Sequence, residues 1–403
     1  MPNQTLPSNR VTDPVRAENR KRVMESLRDA RAAARIELAE RAGLSPATVS
    51  VITAELLSDG LIREALEPTL PAGGRRGRPR TLLEINPDAA YAVGIKVSMH
   101  QTSVSLTNLV GDVLGSDSVP IRANREAPQA IAEICEKRVI DIIASANIDK
   151  DLVLGVGVGV PGFVGYPSGV VRWGPIFKEP NVPFRDIVEQ QTGMRTFVDN
   201  DANMTALAEK WFGIGRRYPT FLVVTVEHGV GMGLVINGKL YRGTRGFGAE
   251  FGHTKVVVGG ALCRCGQRGC VEAYVSDYAI VREASVFRTP PDTGDPIAVQ
   301  KAIDDLIDLA EQGDERVRTV FRRAGTMLGV GISNLVDILD PSIVILSGER
   351  ARSASVFFEA LKSSMSGNPL LGNDSTIDLE INPWDDVVWA RGAAALVLEE
   401  VPI

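Results

Sequence analysis

Apolar residues in the first sixty positions recur at helical intervals, and from residue 91 onward they gather in short runs of strand length. Val23 and Leu27 share one face of a helix predicted over residues 15 to 30. Ile36, Leu38, Ala39 and Ala42 make a second stripe that stops at Gly43, a residue able to turn the chain with positive φ, and Leu44 can plug that turn. Ser45-Pro46 then opens a third helix, with a hydroxyl at the N-cap and proline at the first helical position. Val49, Ile52 and Leu56 form its inward stripe, and Asp59-Gly60 ends it. Residues 61 to 63 read as a strand. Residues 1 to 14 are polar, hold three prolines and lack an apolar period, which predicts a disordered arm.

The runs that follow alternate in the manner of an α/β fold. Strands are expected at 92 to 97 and 102 to 109, with a turn at Gly111-Asp112 and a third strand beyond it. A helical stretch at 128 to 146 precedes a strand at 152 to 160, and residues 221 to 226 open a second copy of the arrangement. Two such lobes around a cleft describe an actin-like or ribonuclease-H-like double domain. The expected division is residues 86 to 198 plus 386 to 403 for the first lobe and 199 to 385 for the second. The apolar stretch at 389 to 400 either caps the first lobe or joins subunits.

Charge separates the head from this body. The chain of 403 residues has a net charge of -6, yet residues 1 to 80 hold 14 Lys and Arg against 10 Asp and Glu, while the remainder holds 30 against 40. A basic head on an acidic body is expected where one domain meets phosphate backbones and the other does not. Residues 35 to 50 resemble the helix-turn-helix of bacterial regulators, which makes 15 to 85 a winged helix-turn-helix. Ser45 and the small outward residues Ala47, Thr48, Ser50 and Val51 would let the third helix lie deep in a major groove. Arg75, Arg76 and Arg78 sit in a glycine- and proline-rich loop whose Gly77-Arg78-Pro79 core could lay arginine into a minor groove. The longest apolar run, 152 to 160, is far short of the roughly 18 residues a membrane span requires. No basic segment leads into an apolar one at the N-terminus, so a cytoplasmic protein is expected.

Chemistry concentrates between residues 246 and 272. His253, Cys263, Cys265 and Cys270 provide one imidazole and three thiolates, the set that Zn²⁺ takes in a closed tetrahedral structural site. Of four cysteines only Cys135 lies elsewhere, which argues for metal in a reducing compartment and against a disulfide framework. Glu250 and Glu272 flank the quartet.

Residues 226 to 253, with glycines at 229, 231, 233, 243 and 252, resemble the signature of the ROK family, named for repressors, open reading frames and sugar kinases. The metal motif, Asn200-Asp201-Ala202-Asn203 and the run at 331 to 341 extend the likeness over about 320 residues, and the helix-turn-helix in front is what ROK repressors have and ROK kinases lack. The resemblance implies that Asn200, Asp201, Glu250, His253 and Glu272 contact a hexose, and that Asp201 stands where the kinases keep their general base. Their first phosphate loop, an Asp followed by two glycines and a threonine, is replaced here by Gly94-Ile95-Lys96-Val97-Ser98-Met99-His100. The glycines of the second loop, 229 to 233, are retained, though such a pattern can also serve only to shape a strand turn. The expectation is therefore a non-catalytic sugar-binding body, with Asp201 a vestigial base, on a DNA-binding repressor that works as a homodimer or higher oligomer. Lys96, facing the cleft, would admit a sugar phosphate as effector in place of a free sugar. Trp173 reads as a packing residue. A residual sugar kinase and a regulator that senses a protein partner are the competing readings.

Overall fold

Asp13 and Pro14, assigned above to the arm, already belong to the first helix: the Asp13 carboxylate accepts from Val15 N at 2.9 Å and caps α1 (Pro14–Ala30). The computed structural model describes residues 13–65, 81–292, 294–348, 350, 355–365, 377–384 and 386–401, so the rest of the arm falls outside it. A short strand β1 (Ala32–Ala34) leads into α2 (Arg35–Ala42), which ends at Gly43 with φ +60°. α3 (Pro46–Ser58) follows, its N-cap Ser45 accepting from Thr48 N at 3.1 Å. Val23, Leu27, Leu38, Val49, Ile52 and Leu56 are all buried. The strands β2 (Ile62–Glu64) and β3 (Leu82–Ile85) pair antiparallel with Ile62 opposite Ile85, and β1 joins the other side of β3. Arg75, Arg76 and Arg78, in the segment between β2 and β3, lie outside the described residues.

The body repeats one sheet design. Its first lobe contains β4 (Tyr91–Val97), β5 (Gln101–Asn108), β6 (Val113–Pro120), α4 (Pro128–Ser145), β7 (Val153–Val160), the small hairpin β8 (Phe163–Gly165) and β9 (Val170–Trp173), α5 (Phe184–Thr192) and β10 (Thr196–Asn200). The sheet order is β10-β7-β4-β5-β6, an antiparallel meander followed by two parallel strands. After α6 (Asp201–Phe212), the second lobe places β11 (Phe221–Val226), β12 (Val230–Ile236), β13 (Lys239–Leu240), β14 (Val344–Ser347) and β15 (Leu379–Ile381) in the order β13-β12-β11-β14-β15. Counted along the chain, both sheets have the same order and the same alternation of directions. The first sheet runs on to Asn200, two residues past the boundary expected from sequence. Helices α7 (Glu272–Val275), α8 (Asp277–Ala284), α9 (Pro296–Glu311), α10 (Glu315–Leu339) and α11 (Phe358–Ser364) cover the second sheet.

The last helix, α12 (Asp386–Glu400), folds back onto the first lobe of its own chain. It lies so close to the sheet that a Cβ on Gly94 would come 1.9 Å from Ala390 O, and one on Gly157 2.0 Å from Ala393 O. Its other side meets α6. The head is not a separate ball: Val23, Leu27, Leu38 and Leu56 share one apolar core with Ala92, Leu109, Leu154, Trp211, Val397 and Leu398 of the body. Among the described residues no helix is long and apolar enough to cross a membrane.

Candidate functional site

A cleft between the two sheets gathers the residues named from sequence. Asn200, Asp201, Glu250, His253 and Glu272 all line it. Asn200 sits at the end of β10 and is also the N-cap of α6: its amide oxygen accepts from Ala202 N at 2.9 Å and its Nδ2 donates to Gly162 O at 2.8 Å. Asp201 follows as the first residue of the helix, where the partial positive charge of the N-terminus favours a carboxylate. Glu250 is delivered by a loop with a strained step, since Ala249 has φ +69°. Burial, and then the charges of Asp201 and Glu272, push the Glu250 carboxyl up to about 8. Glu272 is buried at the start of α7 and accepts from Tyr278 Oη at 3.3 Å.

The floor of this group is the cysteine cluster. The ligand atoms of His253, Cys263, Cys265 and Cys270 all lie within 4.8 Å of one another, and these four could hold a metal ion. Cys263 Sγ is 3.7 Å from His253 Nδ1, and Cys265 Sγ is 3.8 Å from Cys270 Sγ. Those separations are the edges of a tetrahedron with metal–sulfur bonds of about 2.3 Å. The turn requires Gly269: it has φ +82°, and a Cβ there would fall 1.7 Å from Val257 O. With Nδ1 turned to the sulfurs, the other ring nitrogen of His253 is left for the cleft, and the ring stacks on Phe163 at 5.2 Å.

Four features in and around the cleft depart from the sequence reading or go beyond it. Lys96, expected to face the cleft, is 2% exposed, with its Nζ 3.2 Å from Glu227 Oε2 and 3.5 Å above the Trp389 ring. Trp173 is not packing but 41% exposed, on the wall of the cleft beside Phe163. His228 lines the cleft and turns Nδ1 to Asp277 Oδ2 at 3.5 Å, and Arg350 Nε faces the other oxygen at 2.9 Å. Asp199, fully buried, accepts from Arg242 Nε at 2.6 Å and from Asn203 Nδ2 at 2.8 Å, tying the segment that leads to Glu250 onto α6.

The comparisons with known proteins agree with this geometry. Residues 92–400 match the family model described as ROK family, and residues 16–63 match the one described as winged helix-turn-helix DNA-binding. The chain belongs to the ROK family. A xylose repressor of Caldicellulosiruptor bescii is 27% identical over 390 residues, covering 95% of this chain and 96% of that protein. A glucokinase of Thermotoga maritima is 33% identical over 277 residues, 66% of this chain and 85% of its own. The crystal structure of a ROK family transcriptional regulator, a homolog of the Escherichia coli MLC protein, has the same fold along the whole length, with a TM-score of 0.77 at 23% identity and coverage of 96% and 97%.

Within this ROK fold the glycines at 231 and 233 have a packing role. A Cβ on Gly231 would come 2.8 Å from Ala202 Cβ and one on Gly233 2.4 Å from Ala206 Cβ, so they let α6 lie against β12. On the head, Ser45, Ala47, Ser50 and Val51 are exposed on α3, Val51 at 58%, and Thr48 is half-buried. The Ser50 hydroxyl donates to Pro46 O at 2.8 Å. The ROK body reaches the head through two helices that both begin at the cleft. α6 runs from Asp201 to Trp211, which packs beneath α1 with Arg28 4.0 Å above its ring. α12 carries Trp389 of the cleft lining in its first turn and Glu399 in its last, and Glu399 accepts from Lys210 Nζ at 2.6 Å and Trp211 Nε1 at 2.7 Å.

Proposed function

We propose that this chain is a sugar-responsive DNA-binding transcriptional repressor of genes for carbohydrate uptake or catabolism, with a ROK body that binds its effector without phosphorylating it. The observation that carries the reading is the pair α6 and α12, which starts among the cleft carboxylates and ends, cross-linked by Glu399, under the first helix of the head. Sugar hydroxyls both donate and accept, so Asp201, Glu250 and Glu272 with the amide of Asn200 and an imidazole nitrogen of His253 offer complementary partners in a fixed pattern. Zn²⁺ on His253, Cys263, Cys265 and Cys270 supplies a closed structural site that holds both His253 and the Glu272 helix in place. The relatives named as repressors share the head, which supports DNA as the partner.

On DNA, α3 enters a major groove with Ser45, Ala47, Thr48, Ser50 and Val51 against base edges and backbone, while Arg75, Arg76 and Arg78 add phosphate and minor-groove contacts. A homodimer sets two such helices on half-sites, and sugar binding changes their spacing by closing the cleft. Lys96, standing where the kinases keep an acidic residue and paired to Glu227, takes the place of the first glycine loop that would cradle a nucleotide phosphate, so Asp201 acts as a sugar ligand only. The test is a titration of the chain's own promoter DNA with and without each member of a sugar panel, at fixed salt. Linkage requires that an inducing sugar weaken DNA binding and that DNA weaken sugar binding by the same factor. DNA affinity indifferent to every sugar would point to a protein effector, and sugar-dependent ADP formation lost in Asp201→Asn would establish a kinase.

A further inference from the structure

Resting on the sugar-binding reading above, the geometry points to a neutral sugar as the effector, with phosphate esters and sugar acids rejected by the cleft itself. Four carboxylates, Asp201, Glu227, Glu250 and Glu272, line the cavity, and among the described residues no lysine or arginine does. Lys96, which touches the lining residues Glu227 and Trp389, is already committed. Its Nζ is held between Glu227 Oε2 at 3.2 Å and the face of Trp389 at 3.5 Å, and the side chain is sealed from solvent. β4 of the first lobe thus contributes the cation, and the end of β11 in the second lobe contributes the anion. Glu227 and the α12 indole line the cleft, with the Lys96 ammonium sealed behind them.

An entering phosphate dianion would have to displace Glu227 from Lys96 and then sit, partly desolvated, among the remaining carboxylates. Both steps oppose binding, because like charges at short range in a low-dielectric cleft repel strongly and a freed carboxylate is left without its partner. Three imidazoles share the lining with these four carboxylates: His228 faces Asp277 at 3.5 Å, His253 turns its Nδ1 to Cys263, and the His100 ring lies 5.9 Å from that of His228. Hydroxyl groups, by contrast, can donate to each carboxylate without any rearrangement of the ion pair. Glu227 and Lys96 are in this view specificity-determining residues of the effector site, acting by exclusion.

The experiment uses the full-length, metal-loaded protein and measures binding by calorimetry. Its panel contains neutral pentoses, hexoses and N-acetylhexosamines, the matching terminal phosphate esters, and inorganic phosphate. The expected result is a neutral ligand whose ester binds at least about tenfold more weakly, and no binding of inorganic phosphate. In Glu227→Gln, which takes one carboxylate charge away from Lys96, the preference for the neutral form should collapse, whereas the double variant Lys96→Met/Glu227→Gln should keep it. An ester that binds wild type as tightly as its parent sugar, or more so, overturns the inference and leaves the sugar-responsive function standing. A preference unchanged in folded Glu227→Gln overturns the role of the ion pair. Absence of binding by every sugar and ester overturns the function and the inference together.

Discussion

Glu399→Ala should uncouple the cleft from the head while leaving both intact. Glu399 is the acceptor shared by Lys210 and Trp211 near the end of α6, where that helix meets α12 beneath α1, and Arg391 of α12 lies 3.5 Å above the neighbouring Phe212 ring. Burial works to raise its carboxyl, but Lys210 and the indole N–H outweigh burial and hold it below the usual carboxylate range. Hydrogen bonds to a charged group contribute about 1.5–3 kcal/mol, and Lys210 at 23% exposure keeps some contact with water when its partner is removed. A loss of about 1.5–3 kcal/mol follows, or about 2–4 °C in melting temperature for a chain of this size. Because the folded pKa is depressed, this contribution is present above the unfolded carboxylate pKa and disappears as pH falls through the folded value, so wild type and variant should converge in acid. The informative assay is the ratio of DNA affinities with and without sugar. Couplings between sites commonly amount to a factor of about 5–150, and in Glu399→Ala this ratio should approach one while sugar affinity and DNA affinity, each measured alone, change little. A ratio equal to that of wild type, in a variant destabilised as expected, would falsify transmission through this end of the two helices.

Glu250→Gln should raise the melting temperature of the sugar-free protein at alkaline pH. With its folded pKa raised to about 8, Glu250 gives stability that is full below the unfolded value and lost as pH rises through 8, and the variant should flatten that decline as well as weaken sugar binding. With zinc on the quartet as proposed, chelation or Cys270→Ser should lower stability and also cost roughly 10–100-fold in sugar affinity, since the cluster then holds His253 and Glu272. Burial pushes the Cys263 and Cys270 thiols up, so the metal should leave more readily as pH falls, which a colourimetric release assay would follow. Lys96→Met should destabilise by up to about 3–5 kcal/mol by removing the buried cation from Glu227, and the double variant with Glu227→Gln should recover most of that in thermal unfolding.

What could be read in advance was whatever the chain encodes locally. Gly43 and Ser45-Pro46 signal a helix end and a helix start within four residues, and the metal quartet spans only residues 253 to 270. The fold class followed from strand-length runs and from motifs of similar compactness. Lys96, Glu227 and Trp389 were beyond reach for the opposite reason: Lys96 and Glu227 are 131 residues apart, and no period or spacing reports their meeting. Trp173 was misjudged because tryptophan is so often core, and only the hairpin of β8 and β9 shows that its ring stands at the mouth of the cleft. The continuity of head and body was equally hidden, since Trp211, Leu154 and Leu398 look like ordinary core residues of the lobe in which they occur.

That continuity has a bearing on how such proteins can diverge. A DNA-reading head joined by a loose tether could be traded between bodies like a cassette, with new operators acquired in one recombination event. Here Val23 and Leu27 are completed by side chains from α6 and α12, so an imported head would meet a seam cut for another. Inheritance of a new operator in this lineage is therefore expected to proceed by point changes on the outer face of α3, with the seam residues travelling as a set whenever a larger exchange succeeds.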